Sequence, residues 1–164
     1  MRRVRRADTK PEMMVRRQLH ALGYRFRLHD KRLAGSPDIV LAGLRTVVFV
    51  HGCFWHRHDG CRRATTPKTR AEFWKAKFAA NQFRDSRVQA TLRRTGWAVH
   101  VVWECETDDG SWVRPAIQLL NSRRAHPSHG GDRGDGGPEI GRPHARPSRR
   151  KIARLGDTII ETSR

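Results

Sequence analysis

The chain predicts an α/β fold, a mixed sheet flanked by helices in the order α-β-β-β-α-β-α. Three observations carry this. Short apolar, β-branched runs at Ile39–Leu41, Val47–Val50 and Trp97–Trp103 read as buried strands. Stretches with helical periodicity precede, separate and follow them. A helix of about 25 residues lies between the last two strands, which places helices on both faces of the sheet.

Each element has a local justification. Thr9-Lys10-Pro11-Glu12 starts the first helix: Thr9 caps, Pro11 suits the first turn, and Glu12 completes a capping box. Val15, Leu19 and Leu22 then share a face, and Gly23 ends the helix. Tyr24, Phe26 and Leu28 alternate with Arg25, Arg27 and His29, the period of a half-exposed strand. Leu33–Ser36 turns the chain into Pro37-Asp38 and the run that follows. Gly43 and Arg45 mark a tight connection to Val47–Val50, so these two strands form a hairpin. A basic loop after Cys61 leads to a long helix from Arg70 to Arg94, closed by Gly96. Its expected inner face carries Phe73, Ala76, Ala80 and Phe83, continued by Val88 and Leu92. Trp97–Trp103 is the next strand and Ser111–Leu120 the last helix.

Residues 1–122 hold this single domain. Residues 123–164 contain half the glycines and half the prolines, with almost no apolar content up to Lys151, and are expected to be a disordered basic tail. Ile152–Ile160 within it has the composition of a short helix or strand and receives no role. The chain carries 34 Lys/Arg against 16 Asp/Glu, a net charge of +18, of which +13 belongs to residues 1–122. A folded part so basic calls for a polyanionic partner, and nucleic acid is the commonest one. No run is long enough to span a membrane and the N-terminus has no apolar signal region, so a soluble, cytoplasmic protein is expected.

The stretch Val47–Cys61, VVFVHGCFWHRHDGC, concentrates the chemistry. Cys53, His58 and Cys61, with the distant Cys105, make a four-ligand set of the kind that structural zinc prefers. All three cysteines of the chain are used, an odd number that suits a metal site better than a disulfide framework. The competing reading makes Cys105 an ordinary buried thiol. Asp38 opens one hairpin strand while the partner strand ends in His51, with His56 just beyond, so the three converge on one end of the sheet. A carboxylate at a strand start binds Mg²⁺ together with phosphate oxygens, and an imidazole nearby takes a proton from water. That combination suits metal-assisted hydrolysis of a phosphodiester. The plainer readings are a turn residue for Asp38, a backbone-bonded strand end for His51, and a helix cap for Glu12. Phe54, Trp55 and Trp74 either stack on or enter DNA bases, or cover the zinc loop.

These residues also carry a family resemblance. Thr9–Glu12, Gly35–Val40, Phe49–His56, Glu72–Trp74, Asn81 with Arg84-Asp85, and Gly96-Trp97 through Trp103–Cys105 resemble the very-short-patch repair DNA mismatch endonucleases, from Met1 to about Ser122. The resemblance implies a restriction-endonuclease-like fold. It also implies an enzyme, acting as a monomer, that nicks double-stranded DNA on the 5′ side of the thymine in a T:G mismatch left by deamination of 5-methylcytosine. Asp38 then corresponds to the Mg²⁺-binding aspartate, with the Val50 carbonyl as a second contact. His56 corresponds to the general base, oriented by Glu12, with His51 near the scissile phosphate. Cys53, His58, Cys61 and Cys105 match the zinc ligands, and Phe54, Trp55 and Trp74 the aromatic wedge. Lys77 and Asn81 match the residues that read the mismatched bases, and Arg84 and Asp85 form a structural pair. The implied partners include a cytosine-5 DNA methyltransferase and mismatch-repair factors. The family's basic N-terminal arm has no counterpart ahead of Met1-Arg2-Arg3, which implies either a weaker grip on DNA or a misassigned start codon. Two rivals share the same residues: a nuclease of this fold that needs no mismatch, and a zinc-stabilised DNA-binding module without catalysis.

Overall fold

A computed structural model describes residues 7–126. The first helix, α1 (Lys10–Ala21), begins as its sequence directs. Thr9 has extended backbone and its hydroxyl accepts from the Glu12 amide, while the Glu12 carboxylate reaches back to the amide of Asp8 at 3.0 Å. A cap of this kind contributes about 1 kcal/mol. Gly23, at φ +83°, closes the helix, where any other residue would be strained.

Four strands follow: β1 (Arg27–Leu28), β2 (Ile39–Leu41), β3 (Thr46–His51) and β4 (Ala98–Trp103). They form one sheet in the order β1-β2-β3-β4, antiparallel except for the parallel β3–β4 pair. The hairpin is as expected: Ile39 pairs with Val48 and Leu41 with Thr46, across a 3₁₀ turn at Ala42–Leu44 and a left-handed Arg45. The first strand is shorter than its alternation predicts. Tyr24 is buried, but its amide closes the end of α1 on the Leu19 carbonyl, and Leu28 is exposed. Only Arg27 and Leu28 remain to pair.

β3 and β4 are joined by α2 (Cys53–His56) and the 24-residue α3 (Ala71–Arg94), the long crossover that parallel strands require. β4 continues into α4 (Glu104–Asp109), and α5 (Val113–Ala125) ends the described chain. Neither α2 nor α4 was expected. α5 runs three residues past the expected domain boundary at 122, and Arg123 donates to the Leu44 carbonyl at 3.2 Å. The expected disordered tail lies outside the described residues from 127 onward. Among the described residues no helix is long and apolar enough to cross a membrane.

The sheet separates two cores. Ile39, Leu41, Val48 and Val102 pack with Val15 and Leu19 of α1 and with Trp112, Ala116 and Leu120 near and on α5. Val40, Val47 and Phe49 face the other way, onto Leu92 and Val88 of α3. This period-two division explains why both central strands are apolar throughout. The inner face of α3 departs from the expected one. Val88 and Leu92 lie inward as expected, but Phe73 and Phe83 are 47% and 65% exposed and Ala76 and Ala80 lie at the surface, whereas Phe78 is buried, with Trp74, Asn81 and Asp85 on its stripe. Small and aromatic residues occur on both faces of this helix, so composition misplaced its phase. The tertiary partners Phe54 and Val47 decide it.

Candidate active site and metal knot

The carboxylate–histidine centre assembles at the end of the sheet where β3 stops. Asp38, immediately before β2, accepts the Val50 amide on Oδ2 at 2.8 Å, and this bond fixes it beside the last residues of β3. Burial pushes its carboxyl above the ordinary carboxylate range; the Val50 amide opposes this and the neighbouring Glu12 charge adds to it. The next residue, His51, is buried, and its ring stacks on that of His56 with centroids 4.0 Å apart. His56 reaches this position because Cys53–His56 coils into one helical turn directly after the strand.

His56 is held from its far side. Its Nδ1 lies 2.5 Å from Oδ2 of Asp85 on α3. A carboxylate accepts, so Nδ1 carries the hydrogen and Nε2 is left as the atom able to take a proton. Burial alone would raise the Asp85 carboxyl, but the bond to His56 and its charge outweigh this and lower it. His51 is driven the other way: burial, then the adjacent His56, bring it down to about 4. Two stacked imidazoles thus have different tasks, one neutral at ordinary pH and one backed by a carboxylate.

Two expectations change here. Asp85 does not pair with Arg84; Arg84 donates to the Asn81 side chain at 3.0 Å, and Asp85 serves His56. Glu12 does not hold His56 either. Its oxygens take the Asp8 amide, the Thr9 hydroxyl and the Arg16 guanidinium, the last at 2.8 Å. Glu12 approaches the centre through His29, which sits 3.9 Å from its carboxylate and 3.8 Å from that of Asp38. Sequence reasoning missed Asp85, His29 and Arg16 as members of the site. Asp85 lies on the true inner stripe of α3, so a correct helix phase would have flagged it. Nothing local marks the other two.

The second cluster is a knot of thiols. One ligand atom each from Cys53, His58, Cys61 and Cys105 lies within 4.8 Å of the others, and no disulfide joins them. Zinc bonded to thiolates at ~2.3 Å places tetrahedral ligand atoms roughly 3.8 Å apart, and the donor set fits. Burial pushes the Cys53 thiol up to about 12 and raises that of Cys105. Burial also opposes ionisation of Cys61, but the Arg63 amide and the neighbouring thiols outweigh it, leaving Cys61 lowered. Three thiols packed so closely ionise together only around a cation. The support is local: the Cys53 amide donates to Glu104 at 3.3 Å, and Arg63 pairs with Asp108. Trp103 is the wall between the clusters, its ring 5.3 Å from His51 and 4.4 Å from His58.

The aromatic group forms a third cluster. Phe54 contacts Trp55, Trp74 and the buried Phe78, all at 5.0–5.6 Å between centroids. Lys77 lies over Trp55, Phe73 and Trp74 at 5.6–5.9 Å. The rings of Phe54, Trp55 and Trp74 pack on one another and on Phe73 and Phe78, while Trp103 lies against His58. Asn81 donates to the Trp55 carbonyl at 3.1 Å, which ties α3 to α2.

Fold and sites together define a basic α/β protein with a carboxylate–histidine centre beside a thiol knot. A family model described as DNA mismatch endonuclease Vsr matches residues 1–63, which include Asp38, His51, His56 and three of the knot's four residues. A type II nicking enzyme, V.XorIIP of Xanthomonas oryzae pv. oryzae, is 54% identical over 109 residues, covering 66% of this chain and 79% of the relative. V.NmeAIP of Neisseria meningitidis is 42% identical over 120 residues, 73% of this chain and 85% of the relative. The DNA mismatch endonuclease Vsr of Escherichia coli is 43% identical over 105 residues, 64% and 67% of the two chains. The chain belongs to the Vsr family of endonucleases.

Proposed function

We propose that this protein is a strand-specific, Mg²⁺-dependent mismatch endonuclease of the restriction-endonuclease-like fold, nicking 5′ of the thymine in T:G mismatches. The observation that carries the reading is the His51–His56 stack, held between Asp85 and the hairpin that bears Asp38. Membership in a family whose Escherichia coli member is a mismatch endonuclease supplies the substrate class.

Asp38 offers one half-buried carboxylate whose Oδ2 is already pinned by an amide. Such a donor suits Mg²⁺ completed by the Val50 carbonyl and by oxygens of the scissile phosphate, rather than an all-protein cage. When bound, Mg²⁺ supplies charge stabilisation at the phosphate and the departing oxygen. His56 Nε2 takes the proton of the attacking water, and Asp85 stabilises the imidazolium that results. Neutral His51 stacks on the other ring and holds it in place without adding a competing charge. The knot of Cys53, His58, Cys61 and Cys105 holds a structural Zn²⁺ that fixes α2 and, through it, His56. Phe54, Trp55 and Trp74 enter the duplex beside the mismatch, and Lys77 contacts the bases. Asn81, bonded to the Trp55 carbonyl, positions the wedge as well as reading the mismatch. The partner is double-stranded DNA, with a functional link to a cytosine-5 methyltransferase.

A nicking assay on end-labelled T:G and matched C:G duplexes with Mg²⁺ tests this. The expected result is one nick beside the mismatched thymine, with Asp38→Ala below detection and mismatch binding retained. Because several relatives are named nicking enzymes, a second reading is nicking without a mismatch, and equal cleavage of matched duplexes would select it. Mismatch binding without cleavage in any context would instead mark a binding module.

A further inference from the structure

The mechanism above gives no part to His29, which lies within 4 Å of the carboxylates of both Glu12 and Asp38. We propose that His29 is a positioning residue for Asp38, with its tautomer set by Arg16. This rests on the reading of Asp38 as the carboxylate that serves the phosphodiester.

Arg16 is 7% exposed, and its NH2 donates to Glu12 Oε2 and meets His29 Nε2, each at 2.8 Å. A guanidinium has donors only and does not lose its proton in proteins. His29 Nε2 is therefore the acceptor, and the imidazole's hydrogen resides on Nδ1. Nδ1 is the atom that faces Asp38 Oδ1, at 3.8 Å. That is longer than a hydrogen bond, but it sets the ring's N–H beside Oδ1, whereas the Val50 amide bonds Oδ2. Asp38 is thus bonded by a strand amide on Oδ2 and flanked on its Oδ1 side by an imidazole of fixed tautomer.

The backbone supports a dedicated placement. In the β1–β2 register Leu28 pairs with Ile39, which brings the next residue, His29, alongside Asp38. There the chain turns into the left-handed region, φ +46° at His29, a conformation that side-chain-bearing residues rarely adopt. Asp8, Glu12 and His29 have the mutual spacing of a cation site, but the Arg16 guanidinium already lies against all three. Its fixed charge lets two acidic side chains stand beside the centre while one defined imidazole face is presented to Asp38. Partners that orient a ligating group commonly affect metal affinity or activity by about 10–100-fold.

Two measurements test the proposal. Long-range ¹⁵N–¹H correlation spectra of metal-free protein should show His29 as the Nδ1–H tautomer; an Nε2–H form or an averaged mixture would overturn it. In nicking assays with graded Mg²⁺, His29→Ala should lower kcat or raise the half-saturating Mg²⁺ by about 10–100-fold, leaving KM for DNA unchanged. His29→Asn keeps a side-chain N–H at the δ position and suits left-handed backbone, so it should recover to within a few-fold of wild type. Thermal midpoints of both variants establish that they fold. Wild-type behaviour of His29→Ala, or an Asn variant as impaired as the Ala variant, would overturn the proposal. A wild type that nicks no mismatched duplex sinks the mismatch reading alone, and the tautomer signal then decides the role of His29.

Discussion

The thiol knot and the carboxylate–histidine centre share one helical turn yet are built in opposite ways. Cys53 opens α2 and belongs to the knot; His56 closes it and belongs to the centre. The knot draws three of its four donors from nine consecutive residues, Cys53 to Cys61, and only Cys105 comes from elsewhere. The centre draws on the start of β2, the end of β3, α2 and α3, with α1 and the end of β1 behind them. Soft ligands close together in sequence organise themselves around an ion. A proton-transfer site needs groups whose environments differ, and different environments are found on different elements.

The largest effect should come from breaking the knot. If the knot holds zinc as proposed, metal removal by a strong chelator, or Cys61→Ser, should strip order from α2 and the loop after it, because a structural zinc contributes on the order of 10–16 kcal/mol of apparent binding energy. Circular dichroism and thermal melts with and without added Zn²⁺ check this. Full retention of the melting temperature after chelation would show that the knot is an ordinary thiol cluster.

The centre is expected to fail differently, in rate and not in folding. Asp85→Asn keeps the shape but removes the charge behind His56, and should lower kcat by about 10²–10⁴-fold in a protein that still folds. If instead Arg84→Ala reproduced that loss and Asp85→Asn did not, the assignment of Asp85 to His56 would be wrong.

Core packing of α3 separates the two helix phases. Phe78→Ala should destabilise by about 3–5 kcal/mol, since Phe78 is buried under Phe54 and Trp74. Phe83→Ala, on the exposed face, should change stability by no more than about 0.5 kcal/mol. Denaturant midpoints of the two variants check the order directly.

The smallest effect is on pH. Burial holds His51 at about 4 in the folded protein against 6.5 for the ordinary group, so the unfolded chain binds more protons between those values. Stability contributed by keeping this ring neutral is complete above pH 6.5 and is lost as pH falls toward 4. Asp85, lowered in the fold, loses its contribution still further down, below its ordinary 3.8. Melting temperatures from pH 7 to 5 should therefore decline in the wild type and decline less in His51→Asn.

Much of this was legible in the chain. The strand runs, the hairpin, the Thr9 cap and the end of α1 at Gly23 depend on neighbours a few residues away, and all appear as read. The four knot residues declared themselves by type and spacing, and the structure brings them together. Strand β1 was overread because alternation in Tyr24–Leu28 reflects contacts with α1 as much as with the sheet.

By itself the sequence determined the order of the four strands and of three of the five helices, the basic charge, the thiols and imidazole of the knot and the carboxylate at the hairpin. Periodicity, capping and donor chemistry are properties of short segments. Only the tertiary structure decided which face of α3 is buried, and with it that Asp85 rather than Glu12 holds His56, and that Arg16 and His29 stand behind Asp38. Those choices depend on contacts between residues 29 positions apart, as in His56 with Asp85, or 13 apart, as in Arg16 with His29. No local preference encodes such pairs; the packing of α1 and α3 against opposite faces of one sheet does.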